Sequence, residues 1–139
     1  MAGAWSLTGV GMFSVIEKAT GRWIGRLGPW QPEGWPGPEV GWGLTRDAWG
    51  KGYATEGSVA AMDYAVDVLG WTDIIHTIHV KNEPSKAVAR RLRSTVRGPA
   101  RMPPPHDADE MEIWGQSAAD WKINRERVLR RWSPARRPS

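Results

Sequence analysis

The sequence contains no cysteine among its 139 residues, which excludes disulfide bonds, thiolate nucleophiles, cysteine-ligated zinc and iron–sulfur clusters. It also lacks an apolar run long enough to span a bilayer, and its first residues lack the basic-then-apolar pattern of a secretory signal. We therefore expect a soluble cytoplasmic protein without membrane contacts. The chain is long enough for one domain with a single core and leaves little room for a second.

Acidic residues are outnumbered by basic ones, giving a formal net charge of +4, but the excess is confined to two blocks. Residues 1–80 carry a net −3 and residues 102–120 a net −5, whereas 81–101 and 121–139 each carry +6. Blocks of this kind hold a small polyanion or solvate a helix. The charge distribution alone therefore leaves open a small polyanionic ligand and simple solvation of a helix and a tail.

Low complexity is confined to two places. Residues 101–106 contain three consecutive prolines and predict a stiff, extended connector. Residues 133–139 are rich in proline, serine and arginine and predict a disordered basic tail. We therefore expect a single domain over residues 1–132, followed by that tail.

Strand-like and helix-like segments alternate along the rest of the chain. The segment at 46–56 is predicted to open a helix that runs to about Leu69. A second helix is predicted after Asn82 and a third after Ser117. Strands are predicted at 12–17, 22–28, 39–44, 73–80 and 110–115. The order β-β-β-α-β-α-β-α is typical of an α/β or α+β domain with one mixed β-sheet flanked by helices.

The segment from Glu39 to Thr55 is the one most indicative of chemistry. Gly50 and Gly52 allow a tight turn after a strand, and the amides that follow point outward at a helix start. Such amides, beside Lys51, form a site for phosphate or pyrophosphate. Gly52 excludes a P-loop, which needs Ser or Thr there, and Thr55 excludes a dinucleotide fingerprint, which needs glycine. For this segment alone, an ordinary glycine-rich turn is the alternative.

A second strand–helix junction also carries polar side chains, again where the strand ends and the helix begins. Asn82 follows the strand at 73–80, and Ser85 lies in the first turn of the next helix. If the two strands are parallel neighbours, both helices begin at the same edge of the sheet. One long ligand could then lie across both helix starts, with the basic block at 81–101 beside it for further phosphate.

Taken together, these segments resemble the GCN5-related N-acetyltransferases (GNAT), and most of all the branch that acetylates ribosomal-protein N-termini. The resemblance covers about residues 12–121 and rests on Glu39–Trp42, Trp49–Glu56, Asn82–Ser85 and Ala87–Leu92. It implies a GNAT-like mixed sheet and an amine that attacks the thioester of acetyl-CoA directly, without a metal. The absence of cysteine agrees with a reaction that has no covalent enzyme intermediate.

The resemblance also implies where acetyl-CoA binds. Its pyrophosphate would lie on the amides of residues 50–55, and its pantetheine would pair like an extra strand with the backbone at 43–45. Two polar side chains would line the pantetheine arm and the thioester. The implied cofactor-binding residues are Gly43, Leu44, Thr45, Gly50, Lys51, Gly52, Tyr53, Ala54, Thr55, Asn82 and Ser85.

Catalysis needs a base for the incoming ammonium and a proton donor for the leaving thiolate. Glu39 is the candidate base, directly or through water, and Ser85 is the candidate donor. Trp30 and Trp35 lie in the loop where the resemblance places the acceptor, and they are its candidate wall. Each residue also has a purely structural interpretation. Glu39 could be a solvated charge at the start of a strand, and Ser85 could make a hydrogen bond within the first turn of its helix. Trp30 and Trp35 could simply anchor their own loop. His76 faces the apolar side of its strand, which indicates a core or cleft position.

Two departures from the family pattern bear on activity. Family members normally have a strand and two helices before the strand at 12–17, and those helices form one wall of the acceptor site. We expect a longer chain or a homodimer partner to supply that wall. Arg93 stands where the family usually has glycine, which would strain the turn. The main alternative is therefore a catalytically impaired CoA-binding or protein-interaction module, and a further one is RNA binding by the basic terminal helix.

Overall fold

The computed structural model describes residues 13–16, 20–31, 34–44 and 52–131, so the predicted tail at 133–139 lies outside the described residues. The elements in chain order are β1 Phe13–Ile16, β2 Trp23–Trp30, β3 Glu39–Leu44, α1 Tyr53–Asp67, β4 Asp73–His79, α2 Glu83–Arg91, β5 Thr95–Ala100, β6 Met111–Ser117 and α3 Ala118–Arg131. None of the helices among these residues is long and apolar enough to cross a membrane.

The described strands form one mixed sheet in the order β1-β2-β3-β4-β6-β5. Hydrogen-bonded neighbours are antiparallel except β3 and β4, which are parallel. Parallel strands need a crossover connection, and α1 supplies it between β3 and β4. The predicted mixed sheet flanked by helices is confirmed. Because β3 and β4 are parallel neighbours, α1 and α2 begin at the same edge of the sheet.

The sequence-based prediction missed β5 and was wrong about the connector at 101–106. β5 contains glycine and proline, which are depleted in strands, and its pairing with β6 is irregular near Gly98. Because β5 and β6 are antiparallel neighbours, the connector has to reverse the chain. It does so in hydrogen-bonded turns: the N–H of His106 donates to the Pro103 carbonyl at 2.9 Å, and that of Asp109 to the His106 carbonyl at 3.0 Å.

The ends of α1 and α2 follow local signals in the sequence. Asn82 caps α2 as predicted, because its Oδ1 accepts a hydrogen bond from the Ser85 N–H at 3.2 Å. α1 ends at Asp67, slightly before the predicted Leu69. Gly70 then adopts a φ of 70°, a left-handed conformation that glycine reaches without strain, and the chain turns toward β4.

One core cluster joins all three helices to β2, β3 and β4. α3 is fixed to α1 through Asp63, which accepts the indole N–H of the fully buried Trp121 at 2.9 Å and a bidentate pair from Arg125 at 2.9 Å each. Val128, two turns further on, lines the same groove as Thr55 in the first turn of α1. α3 therefore runs antiparallel to α1 and brings its basic C-terminal end beside the start of α1.

Candidate functional site

β3 and β4 pair at a single position, with Glu39 opposite Ile75, and part beyond it. A cavity of about 230 Å³ lies where they part, and its lining includes Trp30, Glu39, His76, Thr77, Asn82 and Ser85. The structure thus gathers the predicted base, the predicted thiolate donor, the α2 cap and one predicted wall tryptophan around one cavity. A cavity with a few convergent polar groups is the usual setting of an active site.

Glu39 is only 3% exposed. Its carboxylate accepts hydrogen bonds from the indole N–H groups of Trp30 and Trp35 and from both the backbone N–H and the hydroxyl of Thr77. Burial raises the pKa of Glu39 above its ordinary value, and the hydrogen bonds from Thr77, Trp35 and Trp30 oppose that rise. Glu39 is therefore not a solvated charge at a strand start but a shielded carboxylate with increased affinity for a proton.

Trp30 and Trp35 lie against each other beside this carboxylate. Their rings are 4.9 Å apart between centroids and inclined by 55°, and both indoles donate to Oε1 of Glu39, at 3.2 and 2.8 Å. The ring of His106, from the turn before β6, lies nearly perpendicular to that of Trp35, with 6.2 Å between the two ring centroids. The same hydrogen bonds that set the two rings at the carboxylate also hold the loop that carries Trp35.

Ser85 is half-buried and lines the cavity from the first turn of α2. The hydrogen bond that ties this turn to Asn82 uses the backbone N–H of Ser85 and not its hydroxyl. The cap therefore fixes the position of Ser85 without engaging the hydroxyl in that bond.

His76 is fully buried at the back of the cavity. Its Nδ1 lies 2.7 Å from the Val40 carbonyl oxygen, and its Nε2 lies 2.8 Å from the hydroxyl of Ser94. Its ring packs against Trp42, with 4.8 Å between the two ring centroids. Burial lowers the pKa of His76 to about 4, with the charge of Arg97 acting in the same direction. The predicted core or cleft position is confirmed, and the imidazole is neutral at physiological pH.

A second groove lies at the start of α1. Gly52, at a φ of 81°, is the N-cap residue of α1, and Tyr53, Ala54 and Thr55 form its first turn. The groove encloses about 350 Å³ and is lined by Thr55, Val128 and four arginines, Arg90, Arg91, Arg93 and Arg131. None of the described residues that line it is acidic. It therefore combines a helix N-terminus with four positive charges.

The groove has the features of a site for phosphate groups. The hydroxyl oxygen of Thr55 is buried there and has no hydrogen-bond partner within the described part of the chain. A buried hydroxyl without a partner costs free energy of roughly 1–3 kcal/mol, which a phosphate oxygen would recover by accepting its proton in a hydrogen bond. The arginines supply the positive charge that a nucleotide polyanion needs.

The remaining predicted cofactor residues divide into two sets. Gly43 and Leu44 end β3; Gly43 is exposed with open space where a Cβ would lie, and Leu44 packs against the core. Thr45, Gly50 and Lys51 lie outside the described residues. Among the residues that the structure does describe, no group of three His, Asp or Glu side chains could hold a metal ion.

Two contributors to these sites were missed by the sequence reasoning. Thr77 donates twice to Glu39, but nothing in the sequence shows that their strands are neighbours. The sequence places Arg131 only in a basic terminal helix, and its position in the groove depends on how α3 packs on α1. Side chains alternate between the two faces along β4, which was the available signal for Thr77. That alternation indicates a partner for Thr77 only when the order of the strands in the sheet is known.

The chain matches a family model described as an acetyltransferase (GNAT) domain over residues 1–95, well over half its length. A curated relative, the uncharacterized protein YkkB of Bacillus subtilis (strain 168), is 31% identical over 86 residues, which cover 60% of this chain and 50% of YkkB. The chain thus spans about half the length of that relative.

Solved structures of acetyltransferases share the fold. An acetyltransferase from Agrobacterium tumefaciens str. C58 is 29% identical with a TM-score of 0.62, covering 76% of this chain and 61% of that one. A GCN5-related N-acetyltransferase from Brucella melitensis is 23% identical with a TM-score of 0.72, covering 92% and 60%. The ribosomal-protein-S5-alanine acetyltransferase from Vibrio fischeri is 19% identical with a TM-score of 0.64, covering 79% and 62%. The predicted resemblance is confirmed: this chain belongs to the GNAT acetyltransferase family.

Proposed function

We propose that the protein transfers an acetyl group from acetyl-CoA to a primary amine, either a protein N-terminus or a small-molecule amine, by direct attack of the amine. The observation that carries the proposal is Glu39, a buried carboxylate with a raised pKa at a cavity of a GNAT domain. An aliphatic amine is an ammonium ion at neutral pH and attacks a carbonyl only after losing a proton. A shielded carboxylate with increased proton affinity is suited to receive it.

In this mechanism Glu39 takes the proton of the ammonium, directly or through a water molecule. Trp30, Trp35 and Thr77 hold its carboxylate in one orientation, because their donors converge on it from β2, the following loop and β4. Ser85 donates a hydrogen bond to the leaving sulfur at the start of α2, where the helix dipole favours negative charge.

Two regions of the chain would hold acetyl-CoA, which supplies the reactive thioester. The first turn of α1 and the arginine groove would bind the phosphates, with the Thr55 hydroxyl as one donor. The backbone around Gly43 and the side chain of Asn82 would flank the pantetheine arm. The groove lies between the start of α1 and the C-terminal end of α2, and Asn82 lies at the other end of α2, so a single extended molecule along α2 would reach from one region to the other.

The acceptor side of the proposal rests on Trp30 and Trp35. Two indoles beside a carboxylate attract an ammonium group, since the ring faces and the charge act in the same direction. The name of the ribosomal-protein-S5-alanine acetyltransferase from Vibrio fischeri, which shares the fold, gives that protein a protein acceptor, and we therefore include a protein N-terminus among the proposed acceptors. We also propose a homodimer whose second copy adjoins this side, and light scattering of the purified protein tests that part alone.

The experiment is an amine-dependent thiol-release assay with acetyl-CoA and a panel of peptides and small amines. Glu39→Gln should lower kcat/KM about 10²–10⁴-fold while acetyl-CoA still binds, because the amide cannot accept the proton. The wild-type rate should fall as pH drops through the raised pKa of Glu39, and the variant should lose that dependence. Glu110→Gln, at an exposed carboxylate before β6, is the matched control and should keep the wild-type rate.

The outcomes separate the candidate functions. Cofactor binding without thiol release for any amine would favour the CoA-binding module over the enzyme. An unaltered pH–rate profile in Glu39→Gln would remove Glu39 from the proton transfer.

A further inference from the structure

One backbone hydrogen bond, or rung, of the parallel ladder between β3 and β4 is missing. The N–H of Ile75 donates to the Pro38 carbonyl at 2.9 Å, as parallel pairing requires. In a parallel ladder the next bond of this type joins the N–H two residues on, that of Thr77, to the carbonyl two residues on, that of Val40. That bond is not formed. The Thr77 N–H donates to Glu39 instead, and the Val40 carbonyl lies 2.7 Å from Nδ1 of His76.

Both halves of the missing rung are therefore capped by side chains. A buried backbone N–H or C=O without a partner costs roughly 1–3 kcal/mol, so two strands that part inside a core normally pair again or admit water. Here the Glu39 carboxylate satisfies the N–H and the His76 imidazole satisfies the C=O. The strands can stay apart at this point without an unsatisfied backbone group.

The hydrogen-bond pattern also fixes the tautomer of His76. A carbonyl oxygen only accepts, so Nδ1 carries the proton and Nε2 accepts from the Ser94 hydroxyl. The oxygen of Ser94 in turn accepts from Nε2 of Gln116 at 2.9 Å, and Oε1 of Gln116 accepts from Asn124 at 2.9 Å. A chain of side chains that begins at Ser94 and continues to β6 and α3 therefore satisfies Nε2, while the bond from Nδ1 to the Val40 carbonyl is made by the imidazole itself.

The gap so produced is the cavity itself. Gly41 and Trp42, the β3 residues just past the capped carbonyl, line it together with His76 and Thr77. Because β4 no longer pairs with β3 there, the main chain of β3 is available to an extended ligand that carries amide groups.

We propose that His76 is a positioning residue for the acyl donor: together with Glu39 it stops the β3–β4 ladder one rung short and presents the β3 main chain to the amide-bearing arm of that donor. The identity of the donor rests on the proposed function. The capping role of His76 does not, since it follows from the hydrogen bonds of the free protein.

A pair of variants at position 76 tests the role. In His76→Asn, the side-chain Nδ2–H occupies the place of Nδ1–H and can still cap the Val40 carbonyl. In His76→Leu, a side chain of similar bulk has no hydrogen-bond donor. The Val40 carbonyl then competes with Glu39 for the Thr77 N–H, and the gap between β3 and β4 narrows. We expect the Kd for coenzyme A, measured by calorimetry, to rise about tenfold in His76→Leu and to stay within twofold of wild type in His76→Asn.

Ser94→Ala separates positioning from stability. It removes the partner of Nε2 and a buried hydrogen bond, but leaves the bond from Nδ1 to Val40. We expect it to lower the thermal midpoint while the Kd for coenzyme A stays within twofold of wild type. Equal loss of affinity in Ser94→Ala and His76→Leu would mean that His76 acts only through stability, and would overturn the proposal.

A readout that needs no cofactor keeps the proposal distinct from the proposed function. In ¹⁵N spectra of the histidine rings, His76 of the wild type should show the Nδ1–H tautomer with a protected proton. An Nε2–H tautomer overturns the proposal even if coenzyme A binds. If the wild type shows the Nδ1–H tautomer but binds no coenzyme A, the proposed function fails and the cap stands. If His76→Leu does not fold, His76→Asn decides, and tenfold weaker binding by the folded Asn variant overturns the proposal.

Discussion

Arg93 adopts a left-handed backbone conformation, with a φ of 68°, directly after the end of α2. A residue with a Cβ pays about 1 kcal/mol or more for this conformation, whereas glycine pays none. We expect Arg93→Gly to raise the free energy of unfolding by at most about 1 kcal/mol, because the greater conformational entropy of glycine in the unfolded chain offsets part of the gain. Urea denaturation without cofactor measures this change.

Arg93→Ala is the matched control for this prediction. It removes the same charge and the same long side chain but keeps the Cβ at positive φ, so it should not stabilise the protein. Equal stabilisation by Gly and Ala would show that charge repulsion in the arginine groove, and not the backbone, is relieved.

His76 gives a pH dependence to stability. Its pKa is 6.5 in the unfolded chain and about 4 in the folded protein, so from pH 6.5 down to 4 the unfolded state binds a proton that the folded state does not. The free energy of unfolding should therefore fall over this window, by about 3 kcal/mol at most. Above pH 6.5 the contribution of the neutral ring is fully present.

The measurement is urea denaturation of the wild type and His76→Asn at several pH values. Glu39 titrates with the opposite sign, because its raised pKa favours the folded protein at low pH, and it is common to both proteins. The difference between the two curves isolates His76, and it should shrink as the pH falls from 6.5 to 4. Parallel curves across this window would show that the imidazole is not held neutral.

At the scale of elements, α1 packs on β2 through Gly57. A Cβ at this position would lie 2.2 Å from Cδ2 of Leu27, which is fully buried. Alanine gains about 1 kcal/mol in helix propensity, but overpacking a closed contact costs about 1–3 kcal/mol. We expect Gly57→Ala to lower the free energy of unfolding on balance, as measured by urea denaturation.

Gly43→Ala is the control for Gly57→Ala, since a Cβ at Gly43 would meet open space. It should change stability by less than about 0.5 kcal/mol. A stable Gly57→Ala protein would mean that α1 can move away from β2, together with the turn that carries the proposed phosphate site.

Elements were predictable from sequence where a local signal defines them. Asn82 caps α2 and Ser117 caps α3, with Oγ accepting from the Asp120 N–H at 3.1 Å, as the side-chain types indicate. β5 was not predictable, because it is held by pairing with β6 and contains glycine and proline. The turns after β5 follow from that antiparallel pairing, which no local pattern encodes.

At the scale of the whole molecule, the site is assembled by strand order. Glu39 and Ser85 were identifiable as candidates from their own segments, but the contact between Glu39 and Thr77 spans 38 residues of sequence. The cap formed by His76 on Val40 needs the same pairing and could not be read in advance. Local sequence therefore identified candidate residues, and only the fold supplied the partners that shield and orient the Glu39 carboxylate.

The arginine groove joins α1, α2 and α3, so its proposed phosphate binding tests the packing of the whole chain. Arg131→Gln should weaken binding of coenzyme A about fivefold, by loss of one charge-assisted hydrogen bond. Arg131→Gln should weaken the binding of dephospho-coenzyme A, which has one phosphate fewer, by a smaller factor. Arg127→Gln changes an exposed arginine of α3 outside the groove and is the control. Equal losses in both variants would indicate a general charge effect instead of a site.

A calorimetric titration of acetyl-CoA into the folded wild-type protein tests directly whether this chain binds the cofactor. We expect saturable binding at one site per chain. We also expect loss of that binding in Gly52→Trp, which puts a bulky side chain at the start of α1, but not in Gly21→Trp, which changes a glycine of similar φ in open space. Absence of any binding heat from folded wild-type protein would contradict the proposed cofactor binding.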